Sequence, residues 1–532
     1  SDNPLNPGAC SNYYGLRINP SDTGNIRITS LWHLSDKVRL SVDPSFQYVL
    51  ANGGGSTTLS ETVAATSADK RVIGSTTLTG FDLNGDGDTL DTVRFYSPSN
   101  TNTKRYGVNA SLIWDVAEGQ RVRLAYTLDY GKHRQTAEFG YLDANGNPEN
   151  VFAGRQGRKV YAADGVVLRN RDRYSIAELN QVAADYRGKF MDDKLTLNVG
   201  VRAPFFKREL NQYCYTQNAS GNVLCTTQSV TRVLPNGNVL LGSSTTEYVP
   251  PFKAEAKFEE VLPNIGVTYA LTDAHTIYAS YAGGLSAPRT DNLYSVRRAA
   301  DGSLARALPD PEETDSFDIG WRYRSDALLA SIAVWKSEFK NRIVSSFDPD
   351  LGFSVDRNVG AVDLQGADFQ VGWQMNDWIV VNGSASYNDS ELQDNLQVSA
   401  TGSVPLAGKR LVETPEWTYA GRVELRPFEG FNVGLEGKFV DERFTTDLND
   451  AKVKSFTVYS LDAGYNFEIE GVKSVRVQAN VYNLFDEEFF GSISSTTGAL
   501  ALTPAVSGYS PSAPFLTLGA PRTVSLSLQV RF

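Results

Sequence analysis

From Val122 to Tyr130 the chain alternates, with Val122, Leu124, Tyr126, Leu128 and Tyr130 on one side and Arg123, Ala125, Thr127 and Asp129 on the other. A period of two is that of a β-strand with one face in an apolar environment. The pattern returns in Phe317, Ile319, Trp321 and Tyr323 against Asp318, Gly320 and Arg322. It returns again in Tyr459, Leu461, Ala463, Tyr465 and Phe467 against Ser460, Asp462, Gly464 and Asn466. It recurs from end to end and predicts an all-β chain.

The connections alternate as well. Ser35-Asp36, Ala117-Glu118-Gly119, Asp192-Asp193, Thr272-Asp273, Ser325-Asp326, Asn376-Asp377, Glu429-Gly430 and Glu470-Gly471 read as short turns that close hairpins. Between the hairpins lie long polar loops such as 53–102. Short turns on one side and long loops on the other are the asymmetry of a transmembrane antiparallel β-barrel, with periplasmic turns and extracellular loops. A soluble sandwich also alternates, but with shorter strands around a core about 10 Å thick. Here many strands exceed the ~9–11 residues that cross a bilayer at a tilt, and Tyr and Phe cluster near their ends. The hairpins and a final strand give about seventeen strands, an odd number, whereas single-chain bacterial barrels have an even one. The inward positions read as polar throughout. In the last strand Val524, Leu526, Leu528, Val530 and Phe532 form an apolar stripe, and the terminal Phe532 is the expected assembly signal.

Composition narrows the function. The 532 residues carry a net charge of −11, which disfavours a nucleic-acid partner, since that affinity rests on clustered Lys and Arg. No apolar run reaches the ~18–20 residues of a membrane helix. His33, His133 and His275 lie far apart, with no nucleophile or paired-carboxylate site beside them, so no catalytic residue is expected and the chain does not read as an enzyme.

Four stretches in order over the second half of the chain carry a resemblance. They are Tyr278-Ala-Ser-Tyr281 leading to Pro288; Pro311-Glu312-Glu313-Thr314-Asp315-Ser316-Phe317 followed by Trp335 to Ile343; Asn480-Val-Tyr-Asn483-Leu484-Phe485-Asp486; and Gly519-Ala-Pro-Arg522. Together they resemble the β-barrel domain of TonB-dependent outer-membrane receptors. The resemblance implies the Gram-negative outer membrane and import of a scarce, bulky ligand such as a ferric siderophore or glycan, with energy from the TonB complex passed through a plug domain. It also implies outer-membrane lipid and lipopolysaccharide as neighbours. The family barrel has about 22 strands and a plugged lumen, and no plug-like segment or TonB box is found in this sequence. Residues 1–532 therefore read as the larger, C-terminal part of such a barrel, starting in an extracellular loop (Ser1 to Asp22). The plug and first strands would come from the same precursor or a separate chain. A passive porin and a surface structural barrel are the competing readings.

Several loop residues are candidate sites. Asp82, Asn84, Asp86, Asp88 and Asp91 follow the D-x-N-x-D-G-D spacing of a calcium loop, without the bidentate Glu at the twelfth position. Ca²⁺ is thus the one cofactor expected. Cys214 and Cys225 are placed to form a disulfide, and Cys10 is left without a partner. Arg155, Arg158, Lys159, Arg169, Arg171 and Arg173 form a basic stretch able to attract an anionic ligand or a lipopolysaccharide phosphate. Loop tyrosines, Tyr213 and Tyr215 foremost and also Tyr13, Tyr14, Tyr161 and Tyr509, can stack on ligand rings.

Overall fold

The computed structural model describes residues 16–61, 82–161, 165, 167–216, 223–225, 229–242, 245, 247–294, 296–298, 304–306, 308–348, 353–358, 360–397, 403–494 and 514–531. Cys10, Tyr13, Tyr14, Tyr509 and Phe532 fall outside them. One antiparallel sheet of nineteen strands dominates. Ser21–Arg27 and Leu31–Ser35 both pair with Val38–Gly53, and Phe252–Glu259 and Leu262–Ala270 both pair with Leu195–Gln212. Each couple is one strand broken by a short irregularity, so among the described residues seventeen strands cross the sheet, as the sequence pattern predicts. Each of the eight short turns joins neighbouring strands.

The ladder runs from Ser21–Ser35 at one edge to Thr523–Arg531 at the other. Among the described residues neither edge has a second partner, and both strands are exposed along their whole length. Seventeen antiparallel strands leave the two edges running in the same direction, so these edges cannot pair antiparallel with each other.

Register sorts the side chains onto two faces. Across the first ladders Trp114, Val122 and Tyr186 lie in one row, and Phe46, Tyr106 and Tyr130 in another eight residues along. Between them run Leu40, Leu112, Leu124, Val108 and Leu128. This is an apolar band with aromatic rims, the outer face of a membrane barrel. Further round, the extracellular rim carries Tyr281 against Phe317 (centroids 4.8 Å apart) and Tyr387 against Trp417 (4.8 Å). The periplasmic rim carries His275 against Trp321 (5.7 Å) and Tyr465 against Phe467 (4.6 Å). The opposite face is charged and paired. Asp115 accepts from Arg39 (2.8 Å) and Arg121 (2.7 Å), and Arg422 bonds Asp462 and Glu424.

Buried apolar side chains sit mainly in the extracellular loops. The hairpin Ser56–Ser60 with Thr92–Tyr96 packs Leu59 and Phe95 on Phe139, Val160, Leu168 and Leu83. A second cluster, Leu392, Leu396, Val404 and Leu406, closes around Val362. Cys214 and Cys225 are disulfide-bonded beside the short ladder of Tyr215–Thr216 with Val223–Leu224.

Three of the four motif stretches are locks between strands at the extracellular side. Asn483, fully buried with φ of 51°, donates its side-chain amide to the carbonyls of Glu487 (2.9 Å) and Ala520 (3.1 Å), and its carbonyl oxygen accepts the Glu487 amide (2.8 Å). Asp486 accepts the Arg522 amide (2.8 Å). Two motifs separated in sequence thus fix the entry of the last strand beside its neighbour. Glu312 likewise accepts the Ile343 amide (2.9 Å), joining the two mid-chain motifs.

Asn483→Ala leaves buried backbone groups unpaired, at about 1–3 kcal/mol each. The variant should lower the temperature at which the barrel loses its compact migration on unheated gels, whereas Asn483→Asp, which keeps the acceptor, should lose less. Non-reducing peptide mapping should recover the Cys214 and Cys225 peptides linked.

Candidate functional site

At the extracellular mouth the inward faces of five neighbouring strands meet. Register places Thr103 opposite His133, Arg105 opposite Gly131, Gln135 opposite Arg173, Arg173 opposite Gln212, and Ala177 opposite Arg208. These are the odd positions of Ser99–Ala117, Gln120–Glu138 and Arg169–Phe190 and the even positions of Leu195–Gln212, and the even positions of Phe252–Glu259 continue the same face. The lumen is not polar throughout, contrary to the sequence expectation. Leu210, Phe252, Ala254, Ala256 and Phe258 also face inward by the same parity, and the chain beyond His275–Ser286 folds back over them. Its short 3₁₀ turn, Asn292–Tyr294, buries Leu293 and Tyr294 on this apolar patch. The Tyr294 hydroxyl bonds Ser175 (2.8 Å) and accepts the Asn211 amide (3.1 Å). Burial pushes its phenol above the usual range.

Beside this turn lies a cavity of about 340 Å³, lined among others by Arg105, His133, Phe206, Arg208, Arg289 and Asp291. That volume is at the lower end of the ~300–1,000 Å³ typical of small-molecule sites. Arg105 is paired with Asp129. The Nε of Arg208 is buried and has no acceptor among the described residues, and the guanidinium lies 5.5 Å from the Phe206 ring centre. His133 shares a 2.7 Å hydrogen bond with Thr103. Directly behind the cavity Arg173 is wholly buried, stacked 4.4 Å over Tyr294, and bonded to Gln135 and to Asp291. In a chain of net charge −11, cations outnumber carboxylates in this mouth. The arrangement can hold an anion by charge-assisted hydrogen bonds.

Only part of the predicted basic stretch reaches this place. Arg171 and Arg173 share the inward face, and Arg171 bonds the Ser99 hydroxyl (3.2 Å). Arg158 pairs with Glu149 (2.7 Å) and stacks on Tyr141, Lys159 pairs with Glu138 (2.8 Å), and Arg169 with Asp172, while Arg155 is exposed. The run therefore divides between locally neutralised loop contacts and the lumen wall. Tyr213 is half-exposed under Arg134. Tyr215 packs on Val239, Leu241 and Tyr248, which makes it part of a loop core. Tyr161 is exposed. Arg105, His133, Arg208, Arg289 and Asp291 were not singled out as ligand contacts in the sequence because they are scattered between positions 105 and 291. Period-two parity near the extracellular ends of strands was the available signal.

The acidic turn departs from the calcium-loop template. Asp82 accepts the amides of Gly85 (2.6 Å) and Gly87 (2.9 Å), and Asn84 turns its amide nitrogen to Asp86 (2.8 Å) and Asp91 (2.9 Å). The ligand atoms that converge, within 4.8 Å of one another, are those of Glu61, Asp88 and Asp91. Glu61, absent from the sequence motif, is buried and accepts the amides of Leu83 (2.6 Å) and Asp91 (3.1 Å). The Asp88 amide holds the Asp86 carboxyl below its usual range, and the hydrogen bond shared with Asp86 pushes the Asp91 carboxyl up.

Residues 2–484 match the family model of the TonB-dependent receptor-like β-barrel. The catecholate siderophore receptor Fiu of Escherichia coli K12 is 21% identical over 43% of this chain and 29% of its own length. The ferric aerobactin receptor of Klebsiella pneumoniae is 22% identical over 83% of this chain and 54% of its own. Among solved structures, the closed form of Fiu superposes with a TM-score of 0.60 at 15% identity, covering 97% of this chain and 64% of that one. Unliganded ferric citrate transporter FecA gives 0.62 at 14%, covering 97% and 62%. The chain thus spans between about a third and two thirds of these relatives, which are transport receptors. It belongs to the TonB-dependent receptor β-barrel family of the Gram-negative outer membrane.

Proposed function

We propose that this chain builds most of the barrel of a receptor that imports an anionic ferric siderophore with energy from TonB. The observation that carries the reading is the arginine-lined cavity at the extracellular mouth, where Arg105, Arg208 and Arg289 face a space open to ligand. A ferric tris-catecholate is a trianion with outward oxygen acceptors, which suits guanidinium donors in a partly desolvated pocket. The relatives named as catecholate siderophore and ferric aerobactin receptors support this class.

The sheet edges support a second part of the proposal, that further strands and a plug complete the barrel. Unpaired backbone groups facing hydrocarbon cost on the order of several kcal/mol each, and Ser21–Ser35 and Thr523–Arg531 present two such edges. The lumenal recesses along Arg322, Gln370, Asn382 and Glu436, and along Glu424, Asp462 and Arg476, offer the polar walls a plug would cover. For the acidic turn we propose Ca²⁺ on Glu61, Asp88 and Asp91, hard oxygen donors suited to that ion.

Uptake of radiolabelled iron as a tris-catecholate complex should require this protein and stop with a protonophore or without TonB; uptake indifferent to both would move the protein to the passive porins. Arg208→Gln should weaken binding of the same complex by about tenfold or more, the scale of one charge-assisted bond. Cysteines introduced by Ile26→Cys and Leu526→Cys should not cross-link, whereas a disulfide between them would place the two edges side by side. Calorimetric titration should detect Ca²⁺ binding that Asp88→Asn abolishes. That binding should fade as pH falls, Asp91 taking a proton before Asp86, and absence of heat in the unaltered protein would remove calcium from the account.

A further inference from the structure

Two arginine–carboxylate pairs adjoin the mouth cavity, and they differ in kind. Arg105 and Asp129 sit on adjacent strands, so the sheet holds both partners. Arg173 is also on the sheet, but its partner Asp291 comes from the segment that folds back over the mouth. The two side chains are unequally placed. Arg173 is 0% exposed and Asp291 is 59% exposed, so the carboxylate forms the solvent side of the pair and part of the cavity wall. Gln135 supports the same contact, its side-chain oxygen accepting from Arg173 and its amide donating to Asp291 at 3.4 Å. Next to Arg173 in register, Gln212 is 1% exposed with neither amide atom bonded among the described residues. The seat thus holds a buried cation and an idle donor and acceptor.

We propose that Asp291 is a built-in stand-in for an anionic group of the ligand, holding the seat on Arg173 until a ligand oxygen displaces it. A buried guanidinium stripped of its counter-charge is strongly destabilised, so Asp291 leaves at low cost only when another anion replaces it. The exchange conserves charge and hydrogen bonds on Arg173. It frees Arg289 to Asp291 to move outward, while Leu293 and Tyr294 remain anchored on the apolar patch and act as the fixed end. Binding and loop release are then one linked equilibrium, because the ligand favours the released state only through the seat it takes. A neutral ligand has no claim on that seat. This inference rests on the anionic-ligand reading above and adds to it the residue against which the ligand competes.

The test uses the full protein in detergent, with Asp291→Asn, which keeps size and weakens the ion pair, and Arg173→Gln. Without any ligand, Asp291→Asn should speed hydrogen exchange in the peptide spanning 287–294, where the Tyr294 amide bonds the Asp291 carbonyl (3.1 Å). Unchanged exchange would overturn the clasp itself. With iron(III) tris-catecholate as probe, Asp291→Asn should bind about tenfold more tightly than the unaltered protein, and Arg173→Gln more weakly. A neutral ferric hydroxamate should bind both Asp291 forms alike. If the unaltered protein binds the anionic probe but Asp291→Asn binds it equally or less well, the stand-in role fails and the receptor reading survives. If the unaltered protein binds neither iron complex, the receptor reading fails and the stand-in role with it.

Discussion

In hydrocarbon there is no water to satisfy a peptide group, so every N–H and C=O at membrane depth needs a partner on a neighbouring strand. The rest of this structure follows from that requirement. It makes the strands pair continuously from Ser21 to Arg531, with short turns on one side where the chain has only to reverse. It holds register along ladders such as Ser99–Ala117 with Gln120–Glu138, and register then assigns each side chain to lipid or to lumen. Among the described residues, Ser21–Ser35 and Thr523–Arg531 are the two edges of the sheet, each paired on one side.

A second consequence concerns the apolar core. Outward apolar side chains in a barrel wall face lipid and inward positions are mostly polar, so the wall gathers little water-excluded core of its own beyond the patch under Leu293 and Tyr294. Burial is left to the loops, and the most enclosed side chains, Phe95, Tyr96, Phe139 and Leu168, lie beyond the extracellular rim. These clusters give long loops a defined shape. One of them, around Leu293 and Tyr294, carries charged residues back into the mouth of the lumen.

Electrostatics at that mouth run against the acidic balance of the whole chain. Arg173, enclosed by Tyr294 and Gln135, requires a counter-charge, and the fold supplies it from a surface segment rather than from a neighbouring strand. The arginines of the wall and the loop above them are therefore energetically joined. Arg158, Lys159 and Arg169 of the same basic stretch, by contrast, spend their charge on Glu149, Glu138 and Asp172, within the neighbouring loop.

Much of the architecture was legible in the sequence because its causes are local. Alternation in Val122–Tyr130 and Tyr459–Phe467 marks which residues face lipid, turn residues such as Asp192-Asp193 mark the hairpins, and together they give the strand number and the odd parity. The Cys214–Cys225 pairing was readable for the same reason, its partners being eleven residues apart. Of the site, Arg171 and Arg173 were legible and the rest was not. Arg105, His133, Arg208 and Asp291 belong to different strands and to a returning loop, and period two says which side they face but not which height they share. Height is set by ladder register, and register by long-range pairing. Glu61 joins Asp88 and Asp91 only because a hairpin brings it there, and Asn483 meets Ala520 only across the last ladder. By itself the sequence determined what each residue faces; tertiary structure alone decided which residues meet, since hydrogen-bonded register acts between segments that local patterning cannot align.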